Sequence, residues 1–273
     1  MSGEFLENVR VRVPLVHSIT NYVTVNDVAN VLLAVGASPI MSDEPDDVAD
    51  ITSICGGLLI NIGTLNKRSI EAMFIAAQKA NELGNTVVLD PVGAGASRLR
   101  TDTASELLKR IKFDVIRGNI SEIKALALGG GTTKGVDADI ADAVTEDNLD
   151  DMIEFAKAFS ETTGAVIVIT GAIDLVADKD KCYVIRNGRP EMSRITGTGC
   201  QLSALVCAFA TANPDKVTDA VAAAVCVMGI AGEVGLRNMQ DTDGNSTYRN
   251  RIIDAIYNMD NDTLIKGARY ELR

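Results

Sequence analysis

Short runs of aliphatic and β-branched residues recur along the chain at intervals that leave room for a helix, and this spacing constrains the fold more than any single motif. Ser38-Pro39-Ile40-Met41, Gly57-Leu58-Leu59-Ile60-Asn61, Thr86-Val87-Val88-Leu89-Asp90 and Asp114-Val115-Ile116-Arg117 read as strands. Between them lie helical stretches: Val25 to Val35, Lys67 to Leu83 with Ile70, Met73, Phe74 and Ala77 at helical spacing, and Asp102 to Ile111. Such alternation implies the α/β class, a mainly parallel central sheet flanked by helices. After residue 165 the pattern changes. Val166 to Thr170, Asp174 to Ala177 and Cys182 to Ile185 follow one another across turns too short for helices, which predicts antiparallel strands at one sheet edge. The alanine-rich stretches Gly199 to Thr211 and Val217 to Gly235 predict buried helices. Neither a composition break nor a linker divides the 273 residues, so 1–273 is expected to form one domain. The acidic segment Asp137 to Asp151 reads as a solvated loop and helix start.

Charge and cysteine usage exclude several function classes. Lysine plus arginine number 26 against 37 aspartate plus glutamate, a formal charge of -11 that repels phosphate polymers, so neither nucleic acid nor an anionic membrane is an expected partner. The longest charge-free apolar stretch in the C-terminal third, Ala220 to Gly232, is shorter than the roughly 18 residues of a spanning helix. Met1 to Arg12 has neither a secretory signal nor a lipidation motif, so a cytoplasmic address is expected. Cys55, Cys182, Cys200, Cys207 and Cys226 form no C-x-x-C pair, and His17 is the single histidine, which argues against a disulfide framework, a zinc site and a Ser-His-Asp hydrolase.

In an open parallel sheet, ligands bind beyond the carboxyl ends of the strands. Here those ends carry Asn61 and Gly63, Asp90 with Pro91-Val92-Gly93-Ala94-Gly95, Arg117-Gly118-Asn119, and Thr170-Gly171. Ile195-Thr196-Gly197-Thr198-Gly199-Cys200 stands directly before an alanine-rich helix. Gly197 and Gly199 there would let the backbone turn sharply and expose the helix's first N–H groups to a transferring phosphoryl group. Asn119-Ile120-Ser121-Glu122 opens another helix just past a strand. Phosphoryl transfer needs charge compensation, usually through magnesium, which favours oxygen ligands; Asp90 and Glu122 are the natural donors. Arg117 could reach a terminal phosphate through the paired donors of its guanidinium. A Rossmann dehydrogenase is dismissed, because no G-x-G-x-x-G follows a first strand within the first 60 residues.

Together these segments resemble the ribokinase-like superfamily, whose vitamin kinases share the N-x-x-E element and the G-x-G anion hole. The closer resemblance is to the hydroxyethylthiazole kinase family, over roughly residues 10 to 236. It rests on Pro14-Leu15-Val16-His17-Ser18-Ile19-Thr20-Asn21-Tyr22-Val23, Gly36-Ala37-Ser38-Pro39-Ile40-Met41, Leu89 to Gly95 and Arg117-Gly118-Asn119. The resemblance implies that Asn21, Met41 and Gly63 line a thiazole pocket with Gly197 nearby, that Arg117, Thr170 and Asn119 bind ATP, and that Asp90 and Glu122 organise Mg2+. It further implies phosphorylation of 4-methyl-5-(2-hydroxyethyl)thiazole, and a homotrimer with active sites at subunit contacts. At Cys200 many kinases of the superfamily carry an aspartate base. At a helix N-terminus the thiol is expected to have a lowered pKa, positioning the hydroxyl and assisting deprotonation without being indispensable. Three rivals remain: a hydroxymethylpyrimidine or pyridoxal kinase, a dehydratase of hydrated nicotinamide nucleotides, which would be expected to carry an acidic residue at position 200, and a nucleotide-binding protein without catalysis.

Overall fold

The computed structural model describes residues 2–129 and 143–273. The first half alternates helix and strand: α1 (Glu4–Arg12), β1 (Leu15–Ile19), α2 (Val25–Val35), β2 (Ser38–Ile40), α3 (Val48–Ile54), β3 (Gly57–Asn61), α4 (Lys67–Leu83), β4 (Thr86–Asp90), α5 (Arg98–Arg110), β5 (Val115–Asn119) and α6 (Ile120–Gly129). The second half runs α7 (Leu149–Thr163), β6 (Val166–Thr170), β7 (Asp174–Ala177), β8 (Cys182–Ile185), α8 (Thr198–Ala212), α9 (Val217–Arg237), α10 (Asn245–Tyr257), α11 (Asn261–Gly267) and β9 (Tyr270–Leu272).

These strands form one nine-stranded sheet in the order β2-β1-β3-β4-β5-β6-β7-β8-β9. β2 through β6 are parallel neighbours, and β7, β8 and β9 add antiparallel at one edge. The short turns after β6 and β7 thus join antiparallel neighbours, as their lengths predict, and β6 is the strand at which the sheet changes direction. β6 pairs parallel with β5, because α7 supplies the crossover that brings the chain back in the same direction. Of the acidic stretch, residues 137–142 lie outside the described residues. Residues 143–148 form a loop and a short 3-10 turn that lead into α7 at Leu149.

Side chains alternate across the sheet, so neighbouring residues of one strand enter different cores. In β3, Leu59 packs with α1, α2, α8, α9 and α10, whereas Leu58 and Ile60 face α4 to α7 on the other side. Burial on both faces is why the central strands read as continuous apolar runs. Local chemistry ends the elements where the sheet needs them to end. At the start of α4, Asn66 and Ser69 cap each other reciprocally, bonding side chain to backbone in both directions at 3.0 Å. Ser97 caps α5, which begins at Arg98 and not at the Asp102 suggested by apolar spacing.

α8 and α9 are apolar on nearly every face, and both are enclosed. The 24-residue segment Pro214–Arg237, whose most apolar 18-residue window has mean hydropathy 1.7, is long and apolar enough to cross a membrane by composition, contrary to the reading from charge-free stretches alone. Its most apolar window is 78% buried within the protein, as the helix packs on α8 and α10. α8 lies over β3 and β4 with Phe209 fully enclosed, so the N-terminus of this helix is anchored by the core. Phe209→Ala is expected to cost about 3–5 kcal/mol in urea unfolding. A cost below about 1 kcal/mol would mean that α8 is not held this way.

Candidate active site

β3, β4 and β5 deliver Asn61, Asp90 and Arg117 to one end of the sheet, directly beneath the start of α8. The turn before α8 depends on glycine. Gly197 has φ +89°, and a Cβ there would stand 2.5 Å from Thr24 Cγ2; a Cβ on Gly199 would stand 2.7 Å from Arg117 Nη1. Among the described residues no side chain caps the helix, and its first turn carries no acidic group. Its leading N–H groups thus remain available to an anion.

Asp90 is fully buried. Its Oδ2 accepts from Asn61 Nδ2 at 2.8 Å and Ser203 Oγ at 2.7 Å, with Arg117 Nη1 at 3.7 Å. Oδ1 has no hydrogen-bond partner among the described residues. Burial pushes this carboxyl from its usual 3.8 up to about 6, with the Glu122 charge adding to the rise and Arg117, Ser203 and Asn61 opposing it. Arg117 donates to Thr170 Oγ1 at 2.6 Å. Glu122 accepts from Gly93 N–H at 2.8 Å and Asn119 N–H at 2.9 Å, while Asn119 Oδ1 accepts from Glu122 N–H at 2.9 Å. The N-x-x-E element is therefore a reciprocal helix cap that also pins the glycine loop after β4.

Cys200 Sγ accepts from Asn21 Nδ2 at 3.1 Å and Asn61 Nδ2 at 3.3 Å. Asn21 also donates to Asn61 Oδ1 at 3.0 Å and accepts from Thr24 Oγ1 at 3.1 Å. The expected lowering of the thiol pKa is overturned: burial, with the nearby Asp90 charge, pushes it up, outweighing the hydrogen bonds from Thr24, Asn21 and Asn61. Cys200 is a neutral thiol within a network of amides.

Two cavities meet at Arg117 and Gly199. One of about 600 Å³ includes Thr170, Asp174 and the loop from Arg186 to Ser193; the other, of about 330 Å³, includes Asn21, Gly63, Asn119, Glu122, Gly197 and Cys200. Met41 stands apart from the residues grouped with it in the sequence. It lines a neighbouring cavity of about 190 Å³ with Ser18, Thr20, Tyr22 and Met73, and Thr64 borders both this space and the Cys200 chamber. Asn61, Ser203 and Thr24 were not singled out as site residues from sequence; only the polar ending of β3 pointed toward Asn61. Arg100, whose Nη2 donates to Gly63 O at 2.6 Å, gave no signal at all.

The raised carboxyl of Asp90 has a thermodynamic consequence. Between about pH 4 and pH 6 the folded chain binds more protons at Asp90 than the unfolded chain does, so its contribution to stability is complete below about pH 4 and is lost as pH rises through 6. Without divalent cations, Asp90→Asn is expected to flatten the decline of the urea midpoint across this window. An unchanged slope would place the proton elsewhere.

Comparison with known proteins follows the same direction. The sequence model of the hydroxyethylthiazole kinase family matches residues 6–262. The chain is 60% identical over 271 residues to hydroxyethylthiazole kinase of Clostridium acetobutylicum, covering 99% of each protein. The solved structure of a hydroxyethylthiazole kinase protein from Pyrococcus horikoshii OT3 superposes with a TM-score of 0.87 at 33% identity, covering 99% of this chain and 98% of that one. Pyridoxal kinase of Staphylococcus aureus, with a TM-score of 0.63 at 16% identity over 95% of this chain and 97% of its own, shares the ribokinase-like fold alone. The chain belongs to the hydroxyethylthiazole kinase family.

Proposed function

We propose that this protein transfers the terminal phosphoryl group of ATP to the hydroxyl of 4-methyl-5-(2-hydroxyethyl)thiazole, within thiamin salvage. The observation that carries the reading is the meeting of two cavities at Arg117 and Gly199, with the uncapped start of α8 between them. ATP occupies the larger cavity, its triphosphate running past Thr170 to Arg117 and reaching Asn119 where the smaller cavity begins. The N–H groups after Gly197 and Gly199 receive the transferring group, and Arg117 compensates its charge. In the smaller chamber Asn21 and Gly63 orient the hydroxyethyl arm beside Cys200, and Met41 contacts the ring from the adjoining cavity.

Magnesium suits the donor set. No cluster of three or more His, Cys, Asp or Glu side chains is formed among the described residues, but Asp90 Oδ1 is a buried oxygen in need of a partner, and Glu122 lies close enough to act on Asp90's ionisation. Two carboxylates, phosphate oxygens and water match the way this ion is usually held. When bound it would neutralise phosphate charge. The chain's own residues position the alcohol oxygen to attack the γ-phosphorus as the bond to ADP breaks, and the alcohol proton leaves late to a phosphate oxygen, either directly or relayed through the neutral Cys200 thiol, which takes it up as it passes its own S–H proton to that oxygen.

The same reading includes one domain, a cytoplasmic location and a homotrimer with its sites at subunit contacts. One sheet spanning Leu15 to Leu272 supports the first. Tyr22 and Val23, 78% and 57% exposed next to Asn21, support the last. Neither nucleic acid nor membrane is a partner in this reading, in keeping with the net charge of -11.

Incubation with magnesium and ATP should add one phosphoryl mass to the thiazole alcohol and leave hydroxymethylpyrimidine, pyridoxal and hydrated NADH unchanged. Turnover of another acceptor in its place would overturn the substrate assignment. Cys200→Ala should retain measurable activity, with kcat reduced by less than about a hundredfold, the low end for loss of a general base. Complete loss of turnover with both substrates still bound would make Cys200 an obligatory base.

A further inference from the structure

One wall of the larger cavity is the loop from Arg186 to Ser193, and the structure ties this loop to the very end of the chain. Gly188 has φ +110°, and Asn187 packs so closely on α9 that a Cβ on Gly229 would stand 2.5 Å from Asn187 Cβ. Glycine adopts such a φ without strain, so the position of the loop is set by the groups it packs against and bonds to.

Arg269 supplies much of that hold. Its Nη2 donates to Arg186 O at 2.7 Å, its backbone N–H donates to Asn187 Oδ1 at 2.7 Å, and its backbone oxygen accepts from Arg186 N–H at 2.9 Å. Asn187 Nδ2 donates to Gly267 O at 2.9 Å. Glu233 of α9 completes the arrangement: Oε1 accepts from Gly188 N–H at 2.8 Å and Arg269 Nη2 at 2.8 Å, and Oε2 from Arg269 Nη1 at 3.1 Å. Burial would raise the Glu233 carboxyl, yet these bonds together hold it below its usual value. The guanidinium thus bridges a carboxylate on a core helix and the backbone of the cavity wall. β9 then continues by pairing with β8, from Tyr270 opposite Ile185 to Leu272 opposite Tyr183. Arg269 and β9 lie beyond residue 262, where the match to the family's sequence model ends.

We infer that the C-terminal segment from Gly267 to Arg273 is part of the nucleotide-binding apparatus, with Arg269, Glu233 and Asn187 as positioning residues that set the shape of the cavity wall and hence the affinity for a nucleoside triphosphate. The inference rests on the proposed seating of ATP in the larger cavity. None of the three takes part in the chemistry: Asn187 shapes the wall to which it belongs, and Arg269 and Glu233 act through that loop. The thiazole chamber shares no wall with this loop, so acceptor affinity should be insensitive to it.

The test compares wild type with Arg269→Met, Arg269→Lys and Asn187→Asp in the full-length protein, using direct binding of a fluorescent ATP analogue and steady-state kinetics with both substrates. Arg269→Met should raise the analogue's dissociation constant and the KM for ATP about fivefold to tenfold, on the order of one lost charge-assisted hydrogen bond. The KM for the thiazole and kcat at saturating ATP should stay within about twofold, well inside the tenfold that 1.4 kcal/mol represents. Arg269→Lys should recover part of the loss, and Asn187→Asp should reproduce it without removing Arg269. Unchanged ATP affinity in a folded Arg269→Met, or a parallel rise in both KM values, would overturn the inference. If wild type itself neither binds the analogue nor phosphorylates the thiazole, the proposed function fails instead, which separates the two.

Discussion

The fully buried carboxylate of Asp90 is the constraint on which the rest of the site depends. A carboxylate removed from water is costly unless it is paired and hydrogen-bonded. Here the partners come from three elements: Asn61 from β3, Arg117 from β5 and Ser203 from α8. Each of those contacts also fixes a neighbour. Asn61 reaches Cys200 and Asn21, and Arg117 reaches Thr170 and closes against Gly199. The network satisfies Oδ2 and leaves Oδ1 without a partner among the described residues. An incomplete polar cluster in a close-packed interior is a strained feature for stability, and it gains a reason if a cation completes it.

The second organising feature is the way glycine separates two spaces. Gly197 and Gly199 let the backbone of α8 pass close to Thr24 and Arg117, where any side chain would collide. The start of the helix can then face a cavity on either side, one roomy enough for a nucleotide and one suited to a small acceptor. Because α8 is enclosed along nearly its whole length, the direction of its N-terminal N–H groups is set by the core. Preorganised dipoles of this kind need no rearrangement as charge develops, which is their advantage in phosphoryl transfer.

Much of this was legible in the sequence because burial on both faces writes continuous apolar runs, and because strand ends in parallel sheets carry chemistry. β3, β4, β6, β7 and β8 fall on their expected residues, β2 ends one residue early, and β5 starts one residue late and ends two residues late. β1 escaped notice as a strand because His17 and Ser18 interrupt its apolar pattern; the imidazole is buried there between Thr52 Oγ1 and Ser42 O, each at 2.9 Å. β9 escaped because three partly exposed residues form a strand only through pairing with β8, a tertiary effect. The N-x-x-E element announced Glu122 but not its hydrogen bond to Gly93 across sequence. The direction of the Cys200 shift was misread for a similar reason. A helix N-terminus is a local feature, whereas the burial and the Asp90 charge that dominate at that thiol come from distant parts of the chain.

The most direct test of the central claim is a crystal structure with magnesium, a non-hydrolysable ATP analogue and the thiazole alcohol. The terminal phosphate should lie between Arg117 and the N–H groups at Gly197 to Gly199, the cation should sit on the oxygen side of Asp90 that carries Oδ1, and the alcohol oxygen should rest beside Cys200. A triphosphate bound away from Arg117, or an Asp90 that keeps both cation and phosphate at a distance, would contradict the account.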